Sequence, residues 1–448
     1  MKIALMHFRV YETDGVSLEM DKWKKALENI GHEVIYISGC PAKDNDLFLE
    51  FLDYQSEYNQ IIHKNAFETF TDFKTEWEFL DYIDQYSDKI YIKLKELIIS
   101  NSIDLLVPNN ISSLAYNIPV GIAVARLAKE HITEIIYHHH DFYWERKRYR
   151  KPTFKSINEY LFKYFPAPYN SQHCVINHIA KDELFKRKGI KATVIPNVFN
   201  FSQLPFVKDD YNNDLRKVLK IKEDDIVFLQ ATRIVERKAI ELGFRIIEEI
   251  ANSLTSYQGK PIYNNYHINK DTRIHFVLVG MKEMNDLKFK ELNNLLQSSK
   301  VVIHYANDLL GHSREILNNQ KKYSLWDFYT ICDFISYTSV LEGWGNQLLE
   351  GLFAKKPILI YEYPVYKTDI KKYHFELVTI TDEIKKDQKT GLYYIPRTTT
   401  KEKQVEIMKI LLDKDKYNKI VDSNFLKAKT NLSYYRLEAL LQELLDNI

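Results

Sequence analysis

The sequence predicts an α/β protein built from two Rossmann-like, doubly wound domains. Three observations predict it. Short apolar runs alternate with amphipathic stretches along the whole chain. The alternation breaks at a Pro- and Asn-punctuated segment near residue 200 and then restarts. At 448 residues the chain is too long for one ordinary core.

The first set of strands is KIALM (2–6), EVIYIS (33–38), IDLLVP (103–108), EIIYH (134–138), CVIN (174–177) and TVIP (193–196). Between the first two, LEMDKWKKALENIGHE repeats its apolar residues at helical spacing, and Gly31 stands where a helix ends. The second set is IVFLQAT (226–232), IHFVLVG (274–280), VVIHY (301–305), DFISYTS (333–339), PILIY (357–361) and LVTI (377–380). PNVFNFSQLPFVKDDYNND (196–214) reads as the linker, which places the domains at 1–200 and 201–425, with a C-terminal helix in 426–448. Residues 41–100 exceed a minimal βαβ unit and read as extra helices, and 255–272 as a polar excursion.

Composition removes several function classes. A formal net charge of +1 offers no basic face for nucleic acid. Cys40, Cys174 and Cys332 lie far apart, without metal-ligand spacing or a disulfide framework, so a reducing, cytoplasmic setting is expected. No apolar run approaches the roughly 20 residues of a membrane span, and MKIALMHFRV, with no long apolar region or small-residue cleavage site after it, is expected to be a strand rather than a secretory signal. The Gly-rich loops of dinucleotide and P-loop sites and the G-x-S-x-G elbow are missing.

Chemistry concentrates in SVLEGWGNQLLEGLFAKKPILIY (339–361), a turn and helix between two strands. A helix that starts after a parallel strand offers N–H groups and a positive dipole end. Gly343 and Gly345 let the backbone approach a ligand, and Glu342 at the turn is suited to accept from hydroxyls. Glu350 follows eight residues later, about 12 Å along a helix. A sugar nucleotide has hydroxyls at both ends and a diphosphate between them, which fits this spacing. An ordinary strand-turn-helix with solvent-facing glutamates is the competing reading. In LQATRIVERKAIELGFRII (229–247), Arg233 and Lys238 flank a turn into a helix, two cations suited to a diphosphate that gains charge as it leaves. Arg237 between them reads as a solvated charge.

The first of these stretches resembles the Glu-seven-residues-Glu signature of retaining GT-B glycosyltransferases, family four. Trp344 replaces the usual phenylalanine of Glu-Gly-Phe-Gly, and Lys-Pro and a strand follow as in that family. The Arg233–Lys238 stretch resembles its phosphate motif, with Thr232 and Ala239 where glycines are usual. The resemblance is specific in 225–365 and weaker before 200. It implies a GT-B fold, two domains facing across a cleft, with the C-terminal helix returning to the N-terminal domain. The N-terminal domain would take the acceptor and the C-terminal domain a nucleotide-diphosphate hexose, GDP- or UDP-linked. It implies a retaining transfer to a small carbohydrate acceptor, a glycoside or sugar acid, giving an α-glycoside. The combination HHHDFYWERKR and EGWGNQLLE is similar to family members that glycosylate small solutes such as glucosylglycerate from GDP-mannose.

Carried onto this chain, the catalytic residues are His140, with His139 as the alternative match to the family's histidine, Arg233, Lys238 and Glu342. Donor contacts fall on Gly15, Arg233, Lys238, Gly280, Gly343, Trp344, Gly345, Asn346, Gln347 and Glu350. Glu342 would hold the hexose and Glu350 the ribose. The base would lie near Gly280–Met281 and the 304–326 region. Acceptor contacts fall on Asn109, Asn110, Asp141, Tyr143, Trp144 and Arg146, with Glu145 beside them. Gly15, after Asp14, resembles the family's glycine turn near the diphosphate. The three histidines 138–140 invite a metal, but neighbours on an extended chain point to alternate sides and converge poorly on one ion. No metal or other cofactor is expected, and the partners are nucleotide sugar and acceptor, not nucleic acid or membrane. A homo-oligomer is compatible with this reading. The alternatives are a GT-B epimerase, a phosphorylase with pyridoxal phosphate, and a non-catalytic carbohydrate-binding protein.

Overall fold

The computed structural model describes residues 1–12, 15–43, 45–169 and 171–448. It divides into two compact units, Met1–Val198 with Tyr434–Ile448, and Phe199–Ser433.

In the first unit the described residues form a seven-stranded parallel sheet. Its strands are β1 (Lys2–His7), β2 (Glu33–Ser38), β3 (Leu47–Phe48), β4 (Leu105–Pro108), β5 (Glu134–His139), β6 (Gln172–Val175) and β7 (Thr193–Val194). Their spatial order is β3-β2-β1-β4-β5-β6-β7. Period-two alternation covers both faces: Ala4 and Met6 enter one apolar cluster, Ile3 and Leu5 the other. Helix α1 (Gly15–Asn29) closes the second cluster with Met20, Trp23, Ala26 and Leu27, its one buried stripe. The chain then turns through Gly31 at φ +92°. The 41–100 segment contains α2 (Glu57–Phe67) and α3 (Glu76–Ser100), and α3 is capped by Thr75, whose side chain accepts from the Glu78 N–H. Phe79, Ile83, Ile90, Leu94 and Ile98 of α3 fill the first cluster. Helices α4 (Ile118–Lys129), α5 (Lys155–Tyr164) and α6 (His178–Lys188) complete the crossovers.

The second unit repeats the plan. Strands β8 (Ile226–Gln230), β9 (Ile274–Leu278) and β10 (Val302–Tyr305) precede a small hairpin, β11 (Glu315–Leu317) with β12 (Gln320–Lys322). The hairpin turns on Asn318 and Asn319, both left-handed, as a type I′ turn requires. Strands β13 (Phe334–Tyr337), β14 (Ile358–Tyr361) and β15 (Val378–Ile380) follow, and the parallel sheet runs β10-β9-β8-β13-β14-β15. Its helices are α7 (Leu215–Val218), α8 (Ile240–Ser253), α9 (Asp286–Gln297), α10 (Leu325–Ile331), α11 (Asn346–Phe353), α12 (Arg397–Leu411) and α13 (Lys414–Asn431). The last helix, α14 (Tyr434–Leu445), returns to the first unit and packs on α1 through Leu437, Leu441, Leu444 and Leu445.

Both sheets therefore reverse strand order at one place, between β1 and β4 and between β8 and β13. In doubly wound sheets, ligands bind outside the carboxyl ends of the strands at that reversal. No helix among the described residues is long and apolar enough to cross a membrane.

Candidate active site

In the second unit the loops after β8 and β13 emerge side by side, because those strands are neighbours. Lys238 ends the first loop and Glu342 lies in the second. Lys238 Nζ donates to Glu342 Oε1 at 2.5 Å, and Arg237 Nη1 donates to Glu342 Oε2 at 2.7 Å. The Lys238 and Glu342 side chains are only 10% and 9% exposed, so the pair is desolvated. Burial alone would raise the Glu342 carboxyl, but the charges of Lys238 and Arg237 hold it below its ordinary range. Burial pulls the Lys238 ammonium below its ordinary range, against the opposing attraction of Glu342. The reading of Arg237 as a solvated charge is thus corrected: a carboxylate from another loop binds it.

Helix α11 begins beside this group. Gly345 caps it at φ +132°, and a Cβ there would collide with the Tyr363 hydroxyl and stand 2.9 Å from that of Tyr337. Lys238 Nζ lies 5.7 Å from the centroid of the same Tyr337 ring. Tyr363 donates to the Trp344 carbonyl at 2.5 Å, and Trp344 itself is buried, while Gly343 is exposed. Gln347, in the first turn of α11, is 4% exposed, and neither amide atom has a hydrogen-bond partner among the described residues. Buried amides are ordinarily satisfied, so Gln347 is suited to meet a ligand. Asn346 precedes it at the positive end of the helix dipole. Glu350, farther along α11, accepts from the Tyr329 hydroxyl at 2.7 Å.

Arg233 takes a different partner. Its Nη1 donates to both Glu283 oxygens at 3.0 and 2.8 Å, and the pair is half-exposed. The expected Arg233–Lys238 clamp is therefore divided between two carboxylates. Gly280 has a packing reason: at φ +154° a Cβ would collide with the Thr232 carbonyl. The loop after β9 thus lies directly on the loop after β8, joined by Ile234 N–H to Met281 O at 2.9 Å. Ala239 takes the left-handed conformation, φ 43°, which suits the glycine usual there.

In the first unit, strand alternation separates the three histidines. His138 and His140 share a face with rings 4.3 Å apart, and His138 stacks on Trp23. His139 points to the other side, its Nε2 3.1 Å from His173 Nδ1. His138 and His139 are buried and His140 is partly exposed, so His140 alone of the three reaches the surface. Burial holds both His138 and His139 well below the ordinary histidine range. Among the described residues no group of three or more His, Cys, Asp or Glu is arranged to hold a metal.

Asn109 and Asn110 depart from their expected acceptor-facing placement. Both are buried, 1% and 2% exposed. Asn109 Oδ1 bonds His138 Nδ1 at 2.8 Å, and left-handed Asn110 accepts the N–H of His140 at 2.7 Å and of Asp141 at 3.2 Å. They position the histidine loop from beneath. Asp141 accepts from Arg146 at 2.6 Å. Trp144 also departs from expectation: it stacks on Phe142 at 4.3 Å and packs toward α6, with Arg187 over its ring. Tyr143 is half-buried, its N–H donating to the Ser113 carbonyl at 2.7 Å. Gly15 opens α1, and a Cβ at this position would meet nothing within 4 Å, so neither packing nor strain demands glycine there. Asp14 lies outside the described residues. A depression lined by Lys2, Gly31, Glu33 and Asp104 opens at the amino edge of this sheet, away from the histidine loop.

Sequence reasoning missed Arg237 as a partner of Glu342 and Glu283 as a partner of Arg233. No local signal marks either, since both pairings cross between loops 50 or more residues apart.

No protein-family model matches the chain. It is 40% identical over 416 residues to the mannosylglucosylglycerate synthase of Petrotoga mobilis, covering 92% of this chain and 94% of the relative. It is 37% identical over 442 residues to the mannosylglucosylglycerate synthase of Thermotoga maritima, covering 98% and 99%. Among solved structures it superposes on a glycosyltransferase from Rickettsia africae with TM-score 0.60 at 14% identity, covering 99% and 97%. It superposes on Anabaena Alr3699/HepE in complex with UDP and glucose with TM-score 0.56 at 12% identity, covering 100% of each chain. With two Rossmann-like units on the GT-B plan and full-length relatives at this identity, the chain belongs to the mannosylglucosylglycerate synthase family of glycosyltransferases.

Proposed function

We propose that the chain transfers a hexose, mannose first, from a GDP- or UDP-linked donor to a hydroxyl of a glucosylglycerate-type acceptor, with retention of configuration. The relatives' names support the product class, and the complex of Anabaena Alr3699/HepE with UDP and glucose supports a nucleotide-linked donor. The observation that carries the reading is the desolvated Lys238–Glu342–Arg237 group beside the Gln347 amide, which has no hydrogen-bond partner among the described residues, at the strand reversal of the second unit. The second unit holds the donor and the first holds the acceptor.

Glu342 is kept ionised by its cations and accepts from hexose hydroxyls. The diphosphate lies over the start of α11, where the helix dipole, Lys238 and Gln347 meet it. Arg233 joins them: its surface pair with Glu283 is worth about 0–1 kcal/mol, so exchanging that carboxylate for a phosphate costs little. The bond from the anomeric carbon to the β-phosphate oxygen breaks. The acceptor oxygen bonds to the same face of that carbon, and its proton passes to the departing phosphate oxygen. Charge therefore grows on the diphosphate, where preorganised cations are most effective. His140, whose N–H is anchored by Asn110, is the first unit's candidate catalytic residue. A covalent intermediate is not proposed, since no second carboxylate is assigned to face the anomeric carbon.

A donor screen tests the reading. GDP-mannose, UDP-glucose and related sugars are each incubated with glucosylglycerate, and the product linkage is determined by NMR. An α-linked product from one donor is expected, and activity is expected to survive exhaustive EDTA dialysis, because cations and the helix end carry the phosphate charge. A β-linked product would overturn retention. Activity lost to EDTA and restored by one divalent ion would overturn the metal-free scheme.

Glu350 is expected to bind the ribose hydroxyls. Glu350→Ala should weaken free GDP or UDP about tenfold or more by titration calorimetry, the loss of a hydrogen bond to a charged group being worth about 1.5–3 kcal/mol. Unchanged nucleotide affinity would remove Glu350 from the donor site.

A further inference from the structure

The strand reversal of the first unit carries a second constellation that the donor chemistry does not use. Arg9 follows β1, Tyr116 follows β4, and Arg146 and Arg148 follow β5, so three adjacent strands deliver them to one sheet edge. Arg9 Nη1 lies 3.4 Å from the Tyr54 hydroxyl. Tyr54 and Tyr116 pack with ring centroids 5.4 Å apart. The Arg148 guanidinium stands over Tyr116 at 4.5 Å and over Tyr149 at 4.7 Å. Buried Asn59 fixes the floor, donating to the carbonyls of Tyr54 and Tyr116, both at 2.7 Å.

Arg146 has Asp141, but Arg148 has no carboxylate partner among the described residues; aromatic faces hold it instead. Stacking leaves the edge of a guanidinium available, and that edge is a planar fork matched to a carboxylate. A stacked, exposed arginine on a rigid aromatic floor is an arrangement for an anion rather than for packing.

We propose that Arg148, on the Tyr54–Tyr116 floor and with Arg9 beside it, reads the carboxylate of the acceptor and makes the enzyme selective for a sugar acid. The proposal rests on the reading that the first unit takes the acceptor. Arg148 is a specificity-determining residue: the carboxylate is remote from the reacting hydroxyl, so its loss weakens binding more than chemistry.

The test uses three probes with the full-length enzyme: glucosylglycerate, the neutral glucosylglycerol, and glucosylglycerol phosphate. Binding is read by calorimetry, and transfer by nucleoside diphosphate release. The wild type is expected to prefer the acid over the neutral probe by about 10–100-fold in kcat/KM, the range of one charge-assisted contact. Arg148→Ala should remove most of that preference through KM, with kcat within about threefold and little change on the neutral probe. Arg148→Lys, which keeps the charge but not the fork, should recover it in part. Equal losses on acid and neutral probes would show a structural role and overturn the proposal, as would an unaltered preference. Better use of the phosphate than of the acid would overturn the carboxylate assignment. Arg148-dependent binding of the acid without transfer from any donor would leave this proposal standing and overturn the proposed reaction instead.

Discussion

With the preferred nucleotide sugar, Lys238→Ala is expected to lower kcat by about 10²–10³-fold, the typical effect of removing one preorganised donor from a developing oxyanion. The size follows from where the ammonium sits. Lys238 is buried against Glu342 at 2.5 Å, and burial already pulls its pKa down, so its charge is poorly screened and acts at high effective strength. Arg237 contacts the other oxygen of the same carboxylate from a more exposed position, 36% against 10%. Arg237→Ala should therefore cost less than tenfold by comparison. Steady-state kinetics on both variants, with thermal melting to verify folding, separate the two. Wild-type kcat in Lys238→Ala would remove the lysine from the reaction.

Glu342→Ala should abolish measurable transfer and also destabilise the protein. The substitution leaves Lys238 buried without its nearest carboxylate, and an orphaned buried charge typically costs about 3–5 kcal/mol. Urea unfolding should show that loss, and Glu342→Gln, which keeps the shape and one acceptor, should show less of it. Free GDP or UDP should still bind within about twofold of wild type, because Glu342 serves the hexose rather than the nucleotide; a change this small is under about 0.5 kcal/mol. A loss of diphosphate affinity equal to that of Glu350→Ala would sink the division of roles between the two carboxylates.

The two repeats of strand and helix and the turn at Gly345 were legible in the sequence. The reason is local: side chains repeat every two residues in a strand and every 3.6 in a helix, so β1 announces both of its buried faces and α1 its single stripe. The spacing of Glu342 and Glu350 is likewise a local property, and so is the splaying of His138 from His139. What the tertiary structure alone decided is which charges meet. Lys238 and Glu342 are 104 residues apart and touch because β13 lies next to β8 in the sheet. The same folding gives Arg237 to Glu342, sends Arg233 to Glu283, and turns Asn109 and Asn110 inward beneath the histidine loop. It also gathers Arg9, Tyr54, Tyr116 and Arg148 from four separate segments. A side chain's partner is set by strand order and loop course, which depend on the packing of the whole unit, and no window of neighbouring residues contains that information.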